Sequence, residues 1–162
     1  MKIAIVISEF NNDISQNLLN GAFLRFKNNF LKSEKMKFEY EKDYYGNEDT
    51  SLTIFRVPGA FEIPTAVSQI LKNNSIYDAI VTLGCVIKGE TAHFEFISAS
   101  VTNSISQISI HKKTNIPIIL GVLTTYDYEQ ALKRSNPKDK DKGGEVMQAA
   151  VDTIKTFNKI KK

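Results

Sequence analysis

A chain of 162 residues with 42% hydrophobic side chains has the apolar mass for one globular core, which excludes a disordered or fibrous class. Its charged fraction of 24% and net charge of +3 are mild, and the basic residues are scattered or terminal, so no clustered basic face points to nucleic acid. The single cysteine, Cys85, excludes an internal disulfide and any C-x-x-C metal or redox motif.

Met1 leads almost directly into Ile3-Ala4-Ile5-Val6-Ile7 without a cationic leader or cleavage site, and this run is too short to span a bilayer. The chain therefore reads as cytoplasmic. The run is continuous and β-branched, as in a parallel strand buried on both faces. Asp13 or Ser15 is placed to cap a helix with its stripe at Leu18, Ala22, Phe26 and Phe30. Residues 35–50 are charged and aromatic, with turn chemistry at Gly46-Asn47, and predict an extra edge hairpin against a strand over 52–57. Pro58-Gly59 stops that strand, and a helix follows over 63–71 with Pro64 in its first turn.

Residues 79–86 predict a third buried strand. A polar loop then leads into a long helix with its stripe at Phe94, Ile97, Val101, Ile105 and Ile108. His111, followed by Lys112 and Lys113, reads as a solvated partner of a helix end. Residues 118–123 predict a fourth strand entered through Pro117, 128–133 and 144–159 predict helices, and 135–142 reads as an exposed loop. Strands alternating with helices in a chain without linker or repeat predict one domain over 1–162, an α/β/α sandwich around a parallel sheet of about four strands. Ligands on such sheets bind beyond the carboxyl ends of the strands.

Those ends carry the polar residues worth weighing. The first strand delivers Phe10, the second Ala60, Phe61 and Glu62, and the third Cys85, Val86, Ile87, Glu90, Thr91 and His93. Phe10 and Phe61 are core residues by default, but both stand in polar loops rather than apolar stripes. Glu62 faces a site or simply favours the next helix N-terminus; Cys85 is a packed thiol before it is a nucleophile. Gly84 and Gly89 have the spacing of a P-loop, yet Glu90 occupies the place of its lysine and would repel β- and γ-phosphates, so the loop suits a single phosphate instead. The free N–H groups of a helix N-terminus supply the anion site. Histidine titrates nearest neutrality, at about 6.5, which makes His93 either the proton shuttle or a residue that packs or caps. On local grounds Arg134 is a solvated helix-end partner.

Taken together, Phe10-Asn11, the run Val57-Pro58-Gly59-Ala60-Phe61-Glu62-Ile63-Pro64, the stretch 84–96, Gly121-Val122-Leu123-Thr124-Thr125, Glu129-Gln130-Ala131 to Arg134, and Lys142-Gly143 resemble the lumazine synthase family in order and spacing over nearly the whole chain. The resemblance implies a flavodoxin-like sheet of order 2-1-3-4. It implies condensation of 5-amino-6-(D-ribitylamino)uracil with 3,4-dihydroxy-2-butanone 4-phosphate to 6,7-dimethyl-8-ribityllumazine in riboflavin biosynthesis, with phosphate and water released and no metal or cofactor. Phe10, Ala60, Phe61, Glu62, Cys85, Val86, Ile87, Leu120 and Lys142 match positions that bind the uracil substrate. Glu90, Thr91 and Arg134 match those that bind the butanone phosphate, and His93 matches the proton donor. Arg134 and Lys142 are implied to come from a neighbouring subunit of a homo-oligomer built on pentamers. Leu120 departs from the Phe of many members, the N-terminal extension of many members is missing, and 35–50 resembles an insertion of roughly ten residues beyond an ordinary connection. A non-catalytic flavin-binding or shell-forming protein on the same fold is the competing expectation.

Overall fold

The β-branched run after Met1 becomes β1 (Lys2–Ser8), the middle strand of a five-stranded sheet. The computed structural model describes residues 1–31, 36–73, 76–110 and 115–161. His111, Lys112 and Lys113 lie outside the described residues, as does Lys35 at the head of the expected hairpin segment. The elements in chain order are β1, α1 (Asn12–Phe26), a π-helical turn (Lys27–Leu31), β2 (Tyr44–Gly46) and β3 (Ser51–Val57). A 3₁₀ turn (Ala60–Glu62), α2 (Ile63–Lys72), β4 (Ala79–Ile87) and α3 (His93–Ile110) follow. The chain closes with β5 (Ile118–Thr125), α4 (Tyr128–Ser135) and α5 (Lys142–Ile160).

The sheet order is β2-β3-β1-β4-β5. Its four long strands are parallel and, counted among themselves, run 2-1-3-4 as expected. β2 adds the antiparallel edge hairpin, with Tyr45 opposite Leu52. The aromatic residues of this segment are packing groups: Tyr45 is buried, its ring centroid lies 4.5 Å from that of Phe23, and its hydroxyl donates to the Glu39 carbonyl at 2.6 Å.

Alternation along β1 assigns the two layers. Ile3, Ile5 and Ile7 join Leu18, Phe23, Ala131 and Met147 beneath α1, α4 and α5, while Ala4 and Val6 join Ile63, Val67, Val101 and Ile105 beneath α2 and α3. α1 and α5 pack so closely that a Cβ on Gly143 would stand 1.9 Å from the Leu18 carbonyl oxygen. Among the described residues, no helix is long and apolar enough to cross a membrane.

Two local expectations are corrected. Neither Asp13 nor Ser15 caps α1. The chain turns from β1 into the helix within a few residues, so Asn11 takes the cap position in a left-handed conformation (φ 58°), Asp13 falls in the first turn, and the Ser15 hydroxyl reaches back to the Ser8 carbonyl at 2.7 Å. α5 starts at Lys142, two residues ahead of the expected Gly144, because the Asp141 carboxylate accepts from the Gly144 N–H at 3.0 Å and caps the helix there.

Candidate active site

The parallel strands end along one edge of the sheet, but the chain diverges there. After Ser8 it keeps bonding to the β3 side: Glu9 N–H donates to the Val57 carbonyl at 2.9 Å and Phe10 N–H to the Pro58 carbonyl at 3.0 Å. β4 pairs with β1 no further than Ile7 with Leu83, yet stays paired with β5 to Ile87 and Thr125. Among the described residues, the last four of β4 therefore carry a backbone edge with no strand beside it. A cavity of about 660 Å³ opens at this divergence.

Its walls come from three loops, one strand edge and one helix. Phe10 and Asn11 come from the β1 end, Gly59, Ala60, Phe61 and Glu62 from the β3 end, and Cys85, Val86 and Ile87 from the free edge of β4. Gly89, Thr91, His93, Phe94 and Ile97 close the far side along the loop and first turns of α3. Phe10 is 70% exposed and Phe61 56% exposed, which decides against a core role for either ring. Apolar faces left open on a polar-rimmed cavity suit a flat ligand.

Each polar group has a local reason for its place. Glu62 accepts the Gly59 N–H at 3.0 Å, so its carboxylate braces the turn into α2 while lining the cavity. Thr91 Oγ1 accepts the His93 N–H at 3.4 Å at the start of α3. Among the described residues, no atom lies within 4 Å of where a Cβ on Gly89 would stand, so the backbone there is open to a ligand. The N–H groups of the first turn of a helix lack intrahelical acceptors and stand at the positive end of its dipole, a setting that suits an anion. His93, the first residue of α3, projects from that end as an exposed side chain.

Cys85 is 2% exposed, and burial pushes its thiol up to about 12, with Asp13 adding to and a Thr125 hydrogen bond opposing that rise. A thiol held protonated is no nucleophile at neutral pH. What Cys85 offers is backbone. Its carbonyl accepts the Asn11 side-chain amide at 3.2 Å, and Val86 and Ile87 after it also line the cavity.

The cavity thus combines an unpaired strand edge, exposed aromatic rings, a helix N-terminus and an imidazole. The sequence model of the family described as 6,7-dimethyl-8-ribityllumazine synthase matches residues 1–158. The chain belongs to this family. A relative from Leuconostoc mesenteroides, named 6,7-dimethyl-8-ribityllumazine synthase, is 40% identical over 160 residues, covering 99% of this chain and 90% of the relative.

Not every residue matched to the lumazine synthase pattern reaches this cavity. Phe10, Ala60, Phe61, Glu62, Cys85, Val86, Ile87, Thr91 and His93 converge on it. Glu90 sits between two lining residues but is turned to solvent. Leu120 lies on edge strand β5 opposite Thr82, 39% exposed and away from the cavity. Arg134 is exposed in the last turn of α4, and Lys142, at the start of α5, pairs with Glu145 at 2.7 Å. α4 and α5 pack on the α1 face of the sheet, and neither contributes a residue to the cavity lining.

The cavity also takes in Gly89 of the loop read as an anion site, and Asn11, Gly59, Phe94 and Ile97, which the sequence did not mark as site residues. Asn11 carried a signal: asparagine next to a strand end is one of the few side chains that tolerate a left-handed turn. Ile97 stands one helical turn after His93, and so shares its face.

Proposed function

We propose that this cavity is where the chain carries out its family's reaction, the condensation of 5-amino-6-(D-ribitylamino)uracil with 3,4-dihydroxy-2-butanone 4-phosphate to 6,7-dimethyl-8-ribityllumazine, releasing phosphate and water. The observation that carries the reading is the junction, in one cavity, of the unpaired edge of β4 with the N-terminus of α3. The β4 edge at Cys85, Val86 and Ile87 pairs with the carbonyl and N–H groups of the uracil, which lies against Phe10. Ala60, Phe61 and Glu62 take the ribityl chain. The phosphate sits at Gly89, Thr91 and the open N–H groups of α3, with Glu90 in the supporting loop.

The steps follow from that placement. The uracil 5-amino group adds to the ketone carbon, and loss of water gives an imine. Removal of the proton on the neighbouring hydroxyl-bearing carbon drives the phosphate off the adjacent carbon. The resulting enol returns to a ketone, and the ribityl-bearing nitrogen attacks it, closing the ring with loss of a second water. Each stage moves a proton near the junction of the two substrates, where His93 stands; positioned acid–base catalysis contributes about 10²–10⁴-fold. Holding amine and ketone together adds effective molarity, and the helix N-terminus stabilises the departing phosphate.

Among the described residues, no Lys or Arg lines this cavity to face the phosphate. Arg134, with Lys142 at the site wall and Leu120 against the ring, supplies the remaining wall from a neighbouring copy in a homo-oligomer built on pentamers, acting in the cytoplasm. Incubating the purified protein with both substrates and following product absorbance tests the reading. Product formation that requires both substrates is expected; tight binding of the lumazine without turnover would overturn it.

A further inference from the structure

Residues 36–43, before β2, are not among those lining the cavity, yet they are tied to the loop that does line it. Arg56, on β3 and only 15% exposed, clasps this segment. Its Nε donates to the Asp43 carboxylate at 2.9 Å, its Nη2 donates to the Tyr40 carbonyl, and its guanidinium lies over the Tyr40 ring, 4.4 Å from the centroid. The Ile54 N–H adds a bond to the Asp43 carbonyl at 2.8 Å. A planar fork engaged on an aromatic face, a carbonyl and a carboxylate fixes both the position and the tilt of that ring.

From this clasp the Tyr40 hydroxyl reaches α1, where it accepts from Asn12 Nδ2 at 3.3 Å, while Asn12 Oδ1 accepts from Gln16. Asn12 opens α1 and directly follows Phe10 and Asn11. On the other side of Phe10, the Glu9 carboxylate also acts on the phenol. Tyr40 is held above its ordinary value of 10.0 first by burial, with Arg56 opposing and Glu9 adding to the rise. One phenol thus senses both flanks of the cavity's most exposed ring. Phe10 is held through the backbone bonds of Glu9 to Val57 and of Phe10 to Pro58, and Asn11 through its contact with Cys85 and the Ser15 N–H on its carbonyl, so the Tyr40 contact is what joins this loop to the segment before β2.

We propose that Tyr40, clasped by Arg56, is a positioning residue that orients the loop carrying Phe10 and Asn11 and thereby tunes the cavity's affinity for its ring-bearing substrate. The final step, from loop order to uracil affinity, rests on the function proposed above. An ordered loop gains affinity by lowering the cost of immobilisation on binding, and the contact is a neutral hydrogen bond, so the effect on affinity is about two- to tenfold.

The chain contains no tryptophan, so Phe10→Trp places a single reporter at the loop. In that background, Tyr40→Phe keeps the ring over the guanidinium and removes only the hydroxyl, and Arg56→Ala releases the whole clasp. Time-resolved fluorescence anisotropy is expected to show a larger fast component at position 10 with Tyr40→Phe and larger still with Arg56→Ala. In the chain with Phe10 retained, Tyr40→Phe is expected to raise the KM for the aminouracil about two- to tenfold. The KM for the butanone phosphate, kcat and the melting temperature stay near those of the unaltered chain. An unchanged anisotropy decay in both variants would overturn the proposal, as would equal shifts of both KM values. If the unaltered chain turns over neither substrate, the function proposed above fails, and the anisotropy decay still decides the positioning role.

Discussion

The side-chain amide of Asn11 donates to the main-chain carbonyl of Cys85 at 3.2 Å, tying the end of β1 to the end of β4 where the two strands part. Asn11 makes this contact from a left-handed backbone with φ 58°. The bond spans the divergence that creates the cavity, so the shape of the site and the strain of one residue are coupled.

That coupling orders the substitutions at position 11. Asn11→Ala loses the amide bond, about 1 kcal/mol, and places a Cβ-bearing residue without compensating hydrogen bonds in the left-handed region, about 1–2 kcal/mol. Asn11→Gly loses the bond but is free of that strain. Urea denaturation is expected to rank the unaltered chain above Asn11→Gly and Asn11→Gly above Asn11→Ala; an alanine variant at least as stable as the glycine variant would refute the strain account.

Gly84 faces Ser8 across β4 and β1. A Cβ at position 84 would stand 2.5 Å from Ser8 Oγ, which is buried with no hydrogen-bond partner among the described residues. Gly84→Ala is expected to destabilise by about 1–3 kcal/mol through overpacking. Ser8→Ala removes an unsatisfied hydroxyl and is expected to be close to neutral. In the double variant the added methyl occupies the vacated space, so thermal or urea unfolding should return a favourable coupling of about 1 kcal/mol or more. Simple additivity would show that the two side chains do not compete for one space.

Arg134 and Lys142 sit on α4 and α5, outside the cavity lining, and that placement gives a test of shared sites. His93→Ala is expected to lower turnover about 10²–10⁴-fold without lowering the melting temperature, because its side chain is exposed. Arg134→Ala should raise the KM for the phosphorylated ketone more than that for the uracil. Co-expressed as a mixture, the two variants should regain activity, since roughly a quarter of interfaces in a random oligomer pair an intact His93 with an intact Arg134. A mixture no more active than its parents would place the whole site within one chain.

The Cys85 thiol gives a pH signature with a definite sign. Burial raises it from 9.0 to about 12, so between those values the folded chain keeps a proton that the unfolded chain releases. Its contribution to stability is fully present below pH 9.0 and falls as pH rises toward 12. The denaturation midpoint of the unaltered chain should therefore drop more steeply over that interval than that of Cys85→Ala. Native protein at pH 8 should resist iodoacetamide while the unfolded chain reacts; equal labelling rates would contradict the buried thiol.

The sequence by itself determined the layers and their order of appearance. Continuous runs such as Ile3-Ala4-Ile5-Val6-Ile7 have nowhere to go but a doubly covered strand, and helical stripes such as Val101 and Ile105 must face the sheet. It also determined that Phe10, Phe61, Glu62, Thr91 and His93 would share one edge, because parallel strands place all their carboxyl ends together. What it left open were the relationships that depend on where a chain turns once its strand is finished. The sequence does not state that β1 follows β3 past Ser8, leaving β4 with a bare edge, nor that Asn11 takes the left-handed cap in place of Asp13 or Ser15. It does not state that Tyr40 meets Asn12 across the α1 face. Periodicity reports which face of an element is buried. Only the packed chain, with each backbone group and side chain competing for partners distant in sequence, decides which loops open a cavity and which hold it in place.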